Sequence, residues 1–315
     1  MELFCTLLLL ALGILLIVKG GDFFVDAASW IAEVSGIPKF IVGATIVSLA
    51  TTLPELIVSI LAAADGKADM AAGNAIGSVT ANTGLIMAVS ILLLPAVIHR
   101  KKLMGKGILM LASAAALLFA CRKGVLTPGG SILLLLLFIL FIIENLHGAR
   151  LAMLPQDNAA AKPNPEGKII AANVIKFVLG AAGIVFGAEL LVENGSSLAR
   201  ICGVSERIIG VTVLAIGTAL PELVTTITAV IKKQSTLSIG NIIGANIIDL
   251  CLILPLCSIV SGGALPVAQQ ACALYLPVCL TVAAIGILPA LIFGKFSRWQ
   301  GILMLAIYIL FLTQA

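Results

Sequence analysis

The chain has 315 residues, of which 61% are hydrophobic and 11% are charged. An ordinary soluble domain is about half apolar and about a quarter charged, so this composition excludes that class and predicts a protein that crosses a membrane several times. The net charge of +4 does not indicate a nucleic-acid surface, because most Lys and Arg residues stand in short loops between apolar runs. The lipid bilayer is the expected environment, and neither nucleic acid nor an obligate protein partner is expected.

Ten apolar spans follow one another along the chain, each near the roughly 20 residues that a helix needs to cross a bilayer. We predict spans 1 to 10 at residues 3–21, 40–64, 70–96, 104–121, 129–149, 168–193, 207–231, 237–260, 270–293 and 298–313. The longest polar break follows span 5 and separates two halves of five spans. Because five is odd, two similar halves must insert in opposite orientations. The predicted fold is therefore an all-α polytopic membrane protein with ten transmembrane helices in two inverted-topology repeats of five.

The loop charges predict the orientation of these repeats. Residues 1–149 would form the first repeat, 150–167 a cytoplasmic linker loop and 168–315 the second repeat. One side has twelve Lys and Arg residues, namely Lys39, Arg100, Lys101, Lys102, Lys106, Arg150, Lys162, Lys168, Lys232, Lys233, Lys295 and Arg298. The other has five, namely Lys67, Arg122, Lys123, Arg200 and Arg207. Since positive loops stay in the cytoplasm, we predict a protein of the cell (plasma or inner) membrane with both termini extracellular or periplasmic.

A polar block recurs at an offset of 167 residues. GATIVSLATTLPELIVSI at 43–60 returns as GVTVLAIGTALPELVTTI at 210–227, and each copy places a Glu directly after a Pro, at Glu55 and Glu222. The same offset pairs Gly20 with Gly187, Gly36 with Gly203, Asn74 with Asn241, Ile76 with Ile243, Gly77 with Gly244, and Asn82 with Asp249. An ionisable side chain at membrane depth is costly and marks an ion or substrate path. Two ionisable side chains at matched positions of the repeat predict a site built from both halves.

Span 2 places its polar residues on one face. Ser48, Thr52, Glu55 and Ser59 follow at steps of four, three and four. On a helix this spacing makes a single stripe, which should face the protein interior.

The two Pro residues should supply further oxygen ligands. Pro54 has no amide hydrogen, so the carbonyl of Ala50 loses its partner and the turn around Thr51 loosens. Pro221 should do the same to the turn at Thr218. Freed carbonyls at membrane depth need a partner, and a cation can serve. Carboxylates, carbonyls and hydroxyls together are hard ligands that suit Ca²⁺ or Na⁺.

Spans 3 and 8 add small residues and two more oxygen ligands. GNAIGS at 73–78 and GNIIGA at 240–245 allow close helix approach, and Asn82 and Asp249 follow one turn later. With the two Pro-linked Glu residues, Asp249 makes three acids, which cannot all stay ionised together without bound cations or protons. A single Glu could be a protonated packing residue and a Pro a simple kink. The matched blocks favour an ion site over that reading.

At these residues the chain resembles the sodium/calcium exchanger family of the calcium:cation antiporter superfamily, in its prokaryotic form. The TxLPEL and GNxxG pairs carry the resemblance, which covers both repeats. It implies that spans 2, 3, 7 and 8 surround the ions and that spans 1 and 6 form a long, tilted pair that slides. It also implies the ligands: for Ca²⁺, Glu55, Glu222 and the carbonyls of Thr51 and Thr218; for Na⁺, Ser48, Thr52, Ser78, the Ala215 carbonyl, Thr218, Glu55 and Glu222; and for the central site, Asn82 and Asp249.

The second repeat departs from the family pattern at two positions. The family commonly has a hydroxyl residue at each, where this chain has Ala219 and Ala245; the first repeat keeps Thr52 and Ser78. Both losses lie on one side of the pseudo-symmetric site. We therefore expect the Na⁺ site on that side to lack oxygens, which affects a three-sodium stoichiometry.

The predicted function is secondary active antiport of Ca²⁺ against Na⁺ by alternating access. Two alternatives stay open: a calcium antiporter driven by H⁺ or K⁺, and a passive cation channel. Inverted repeats with broken helices favour the transporter over the channel. The sequence contains no nucleophile–base pair of the kind that would indicate an enzyme. No cofactor is expected; the cations are the transported substrates.

Overall fold

The computed structural model describes residues 2–95, 97, 100–153, 165–202 and 219–314. Eight helices in this part of the chain are long and apolar enough to cross a membrane, and two shorter apolar helices accompany them. The spans are Glu2–Ser35, Lys39–Ala64, Ala68–Leu93, Arg100–Ala120, Pro128–Met153, Gly167–Ile201, Leu220–Ile231 (the described part of span 7), Ser235–Val260, Ala271–Phe293 and Arg298–Leu312. Residues 154–164 of the linker predicted at 150–167, and residues 207–218 at the start of span 7, lie outside the described residues.

Spans 1 and 6 are longer than predicted. We placed their ends at residues 21 and 193, but the helices continue to Ser35 and Ile201. The added part of span 1 includes Asp22 and Asp26, which both pair with Lys232 at the end of span 7. The added part of span 6 includes Asn194, whose buried amide is satisfied by the Leu190 carbonyl at 2.8 Å.

Spans 1 and 6 pack against each other as an antiparallel pair. A Cβ added at Gly13 would lie 3.1 Å from the carbonyl oxygen of Gly187, and one added at Gly20 would lie 2.9 Å from that of Gly180. Such contacts require glycine, because any side chain would push the two backbones apart. The lower residue numbers of one helix meet the higher numbers of the other, as the inverted repeat predicts.

Spans 3 and 8 are the most buried helices and form the centre of the molecule. Span 8 crosses span 2 at the predicted GNIIGA motif. A Cβ at Gly244 would lie 2.6 Å from the Ala44 carbonyl oxygen, and a Cβ at Gly240 would clash with that of Phe40. The motif therefore brings the backbones of the two repeats into direct contact.

In the described part of the chain four π-helical turns interrupt the α-helices, and the sequence did not predict them. They occupy Gly43–Val47, Asn82–Met87, Asp249–Ile253 and Ala271–Tyr275. The middle two begin at the Asn82 and Asp249 positions that the repeat pairs. A π-turn is rare and occurs often at functional sites, because it redirects the side chains of one turn.

Short β-contacts join loops of the two halves. Strand β1, Val125–Leu126, pairs antiparallel with strand β2, Leu265–Pro266. At the other end of the molecule Val97 forms an isolated bridge with Lys295. Each contact joins two loops that the predicted topology places on the same side of the membrane.

One charge used for the orientation lies in a different place. Lys106, which we counted as a loop residue, lies within span 4 and is 1% exposed. It forms an ion pair with Glu144 of span 5, and its ammonium lies 5.7 Å from the ring centroid of Phe40. The partner acid 38 positions later makes its burial possible. The richer side still has the larger number of basic residues.

Candidate ion-binding site

Glu55 and Glu222 lie at the centre of the molecule and are 1% and 0% exposed. Glu55 follows Pro54 within a continuous helix, Ser48–Ala64, so this Pro does not break span 2. Pro221 stands in the first turn of the helix Leu220–Ile231, where a missing amide costs no hydrogen bond. The two carboxyl groups come from opposite repeats and interact electrostatically with each other.

The hydroxyls of the first block face the second repeat. The Thr52 Oγ1 atom lies 3.5 Å from the Glu222 Oε1 atom, and it also donates to the Ser48 carbonyl at 2.6 Å. The Thr51 Oγ1 atom lies 3.3 Å from the Oδ1 atom of Asn241. The predicted polar stripe of span 2 therefore reaches across the repeat boundary to the acid of span 7.

Four further predicted residues are buried in the same core. Asn82 and Asp249 are 1% and 0% exposed, and Asp249 interacts electrostatically with both Glu residues. Ser78 is buried in span 3. Ser48 is buried too, but its hydroxyl donates to the Thr45 carbonyl at 3.1 Å. The predicted ligands at Ala215 and Thr218 lie outside the described residues.

Several oxygen atoms in this core have no hydrogen-bond partner among the described residues. They are Glu55 Oε2, Glu222 Oε2, both carboxylate oxygens of Asp249, Asn82 Oδ1, Ser78 Oγ, Thr225 Oγ1 and Thr226 Oγ1. A buried polar atom without a partner costs about 1–3 kcal/mol, and more if it is charged. Oxygen atoms of this kind are the ligands that a hard cation prefers.

Within the described residues, no three His, Cys, Asp or Glu side chains converge closely enough to form a metal site by themselves. The buried acids of this core are accompanied by neutral oxygen atoms, among them Ser78 Oγ and Asn82 Oδ1. A cation bound here would therefore be held by a mixed set of charged and neutral oxygens.

Some polar residues of the core were not among the predicted site residues. Thr226 occupies the position in span 7 that Ser59 has in span 2, so the same polar stripe identifies it. Asn246 donates to the Thr83 hydroxyl at 2.7 Å, which links spans 8 and 3. No sequence signal identified this pair, since the two residues are 163 positions apart. Ala219 and Ala245, where the chain lacks hydroxyls, are both buried.

Comparison with known proteins agrees with this architecture. Residues 5–146 and 172–315 match the sodium/calcium exchanger protein family. The chain is 31% identical to the sodium/calcium exchanger MaX1 of Methanosarcina acetivorans, over 97% of each protein. It is 36% identical to the inner membrane protein YrbG of Escherichia coli, over 81% of this chain and 80% of that protein. The solved structure of the sodium-calcium exchanger NCX_Mj soaked with Na⁺ and Sr²⁺ superimposes with a TM-score of 0.84 at 28% identity, over 99% of both chains.

The chain belongs to the sodium/calcium exchanger family. It is a multi-pass membrane protein built from two family repeats, and the family consists of transporters rather than enzymes.

Proposed function

We propose that this protein is a secondary active antiporter that exchanges Ca²⁺ for Na⁺ by alternating access. The observation that carries the proposal is a polar contact across the repeat boundary: the Thr52 hydroxyl of one repeat lies 3.5 Å from the Glu222 carboxylate of the other, in a core that also buries Glu55. Inverted-repeat transporters place their substrate site at the interface of the repeats, near the middle of the bilayer. The proposal places Ca²⁺ and Na⁺ at that interface.

The proposed Ca²⁺ ligands are the carboxylates of Glu55 and Glu222 and the carbonyls of Thr51 and Thr218. The proposed Na⁺ ligands use the same two carboxylates together with Ser48, Thr52, Ser78, Thr218 and the Ala215 carbonyl. Asn82 and Asp249 complete the central site. The acceptors without partners on Ser78, Asn82 and Asp249 support their inclusion, because a cation would satisfy them.

Coupling follows from the shared carboxylates. Glu55 and Glu222 cannot coordinate Ca²⁺ and a full set of Na⁺ ions at the same time, so each ion lowers the affinity for the other. Such reciprocal linkage between two ligands is the thermodynamic requirement for exchange. A Na⁺ gradient then releases Ca²⁺ on the side with the higher Na⁺ concentration.

The proposed location is the cell membrane, with both termini outside and residues 150–167 in the cytoplasm. The excess of basic residues on one side supports this orientation. The paired loops Val125–Leu126 with Leu265–Pro266 agree with it, since both would lie outside.

Flux measurements distinguish this function from its alternatives. The purified protein is reconstituted into vesicles loaded with Na⁺, K⁺ or neither, and radioactive Ca²⁺ uptake is measured at several pH values. Antiport with Na⁺ predicts uptake only into Na⁺-loaded vesicles. Uptake driven by K⁺ or by a pH gradient would support the antiporter alternatives, and uptake without any counter-ion gradient would support the channel.

A further inference from the structure

The two Glu-bearing helices end in the same backbone turn but with opposite charges. Span 2 is capped by Asp65, and span 7 is capped by Lys232, 167 positions later. The next residues, Gly66 and Lys233, have positive φ angles of 76° and 58°. In both turns the capping amide bonds to the carbonyl four residues earlier, at 2.9 Å. Asp65 and Lys232 are therefore structurally equivalent positions of the inverted repeat.

Lys232 joins span 7 to span 1. Its ammonium lies 2.7 Å from the Asp26 Oδ1 atom and 3.1 Å from the Asp22 Oδ1 atom. Partial burial acts to lower the pKa of Lys232, but hydrogen bonds to the two carboxylates outweigh it and raise that pKa above its ordinary value. The charged ammonium is therefore stabilised where it bridges the two helices.

The equivalent position in the other half has no such bridge. The repeat partners of Asp22 and Asp26 are Glu189 and Glu193 on span 6, and the residue that caps span 2 is the acidic Asp65. Asp65 pairs instead with Lys67 of its own loop, at 3.5 Å. Among the described residues no basic side chain forms an ion pair with either Glu. Charges of the same sign thus stand where the other half has opposite charges.

The two halves also differ in packing: spans 1 and 7 pack closely, whereas spans 6 and 2 do not. Where span 1 meets span 7, Phe24, Val25, Ala28 and Ala229 form a buried apolar cluster. Where span 6 meets span 2, a cavity of about 620 Å³ opens instead. Its lining includes Pro54, Ala182, Val185, Glu189 and Pro221. One side of the molecule is therefore closed and bridged by ion pairs, and its symmetry-related side is open.

We propose that Asp22, Asp26 and Lys232 form an ion-pair latch that holds span 1 against span 7 and favours the conformation open between spans 2 and 6. The inference rests on the proposed alternating-access function. When inverted repeats exchange conformations, span 6 closes on span 2 and span 1 separates from span 7. The latch must then break, and among the described residues Asp65 cannot form an equivalent one on the other side because it has the same charge as Glu189 and Glu193. The three residues are positioning residues that set the balance between the two conformations.

Cysteine accessibility measures that balance without any ion flux. Ala182 is replaced by Cys in a background without the seven natural Cys, and the purified protein is labelled with a maleimide in buffer free of Na⁺ and Ca²⁺. Lys232→Gln should lower the ratio of the open to the closed conformation by up to about 5-fold, because partly exposed ion pairs contribute up to about 1 kcal/mol, and should slow the labelling of this cavity position by up to the same factor. The matched control is Lys233→Gln, which removes the neighbouring charge and should not change the rate.

Two further variants separate the latch from a general effect on folding. Asp65→Lys places a Lys opposite Glu189 and Glu193 and should also slow labelling, because it adds a latch that favours closure of span 6 on span 2. The charge exchange Asp26→Lys with Lys232→Asp should restore the original rate.

The proposal is overturned if Lys232→Gln labels as fast as Lys233→Gln, or if the charge exchange fails to restore the rate. Labelling is measured without transport. This outcome would therefore reject the latch but would not contradict Na⁺-driven Ca²⁺ exchange by the unmodified protein. A protein that shows the labelling shifts but no such flux would instead contradict the proposed function.

Discussion

Replacing Glu222 by Gln should weaken Ca²⁺ binding by about two to three orders of magnitude. Gln keeps the shape of the side chain and can still contact the Thr52 hydroxyl, which lies 3.5 Å from the carboxylate. What it removes is one of two charges in a buried site. In the Ca²⁺-bound state each carboxylate forms a buried pair of opposite charges with the cation. Removing one member of such a pair costs about 3–5 kcal/mol, equivalent to at least about a 10²-fold loss of affinity. Glu55→Gln should have an effect of the same size because Glu55 is equally buried in the same core.

The assay is Ca²⁺ binding to the purified variant by calorimetry, followed by Na⁺-driven Ca²⁺ flux in vesicles. Glu33→Gln is the matched control, since Glu33 is an exposed acid of span 1 paired with Lys39 at 2.8 Å. It should bind Ca²⁺ as the unmodified protein does. A folded Glu222→Gln protein with Ca²⁺ affinity and flux near those of the control would refute the site assignment.

Three further predictions address the rest of the account. Ala219→Ser with Ala245→Ser should steepen the Na⁺ dependence of Ca²⁺ flux and leave Ca²⁺ affinity unchanged, because it returns two oxygens to the Na⁺ site; an unchanged Hill coefficient in the double variant would contradict the role of the missing hydroxyls. Gly244→Ala should destabilise the protein by about 1–3 kcal/mol in thermal unfolding, because its Cβ would lie 2.6 Å from a carbonyl oxygen of span 2. The repeat-related Gly77→Ala, with no described atom within 4 Å of its Cβ, should have little effect, and equal losses in both would argue against the close crossing. A single Cys at Ala160 should resist an impermeant maleimide in intact cells and react after permeabilisation; labelling in intact cells would reverse the orientation.

The sequence predicted the number of spans, their order and the acids of the core because those features repeat at one fixed offset. Glu55, Glu222 and Asp249 were identified since each is an acid within an apolar span. Thr226 was within reach of the same stripe argument. These features depend on local composition and periodicity, which a single sequence contains.

Other features depend on contacts between distant segments and were missed for that reason. The predicted span 1 ended at residue 21, just before Asp22, whereas the helix continues and Lys232 pairs with Asp26 and Asp22 from 206 and 210 positions away. Lys106 was counted as a loop charge, whereas it is buried against Glu144, a partner on another span. The π-turns at Asn82 and Asp249 have no compositional signal, and the packing of the repeats around them determines their geometry.

Equilibrium competition between Ca²⁺ and Na⁺ tests the central claim most directly. Ca²⁺ binding to the purified protein is titrated at increasing Na⁺ concentration, with ionic strength kept constant by choline. If Glu55 and Glu222 serve both ions, the apparent Kd for Ca²⁺ rises with Na⁺ and the number of Ca²⁺ ions bound at saturation does not change. A Ca²⁺ affinity independent of Na⁺ would contradict a shared site and, with it, the proposed mechanism of exchange.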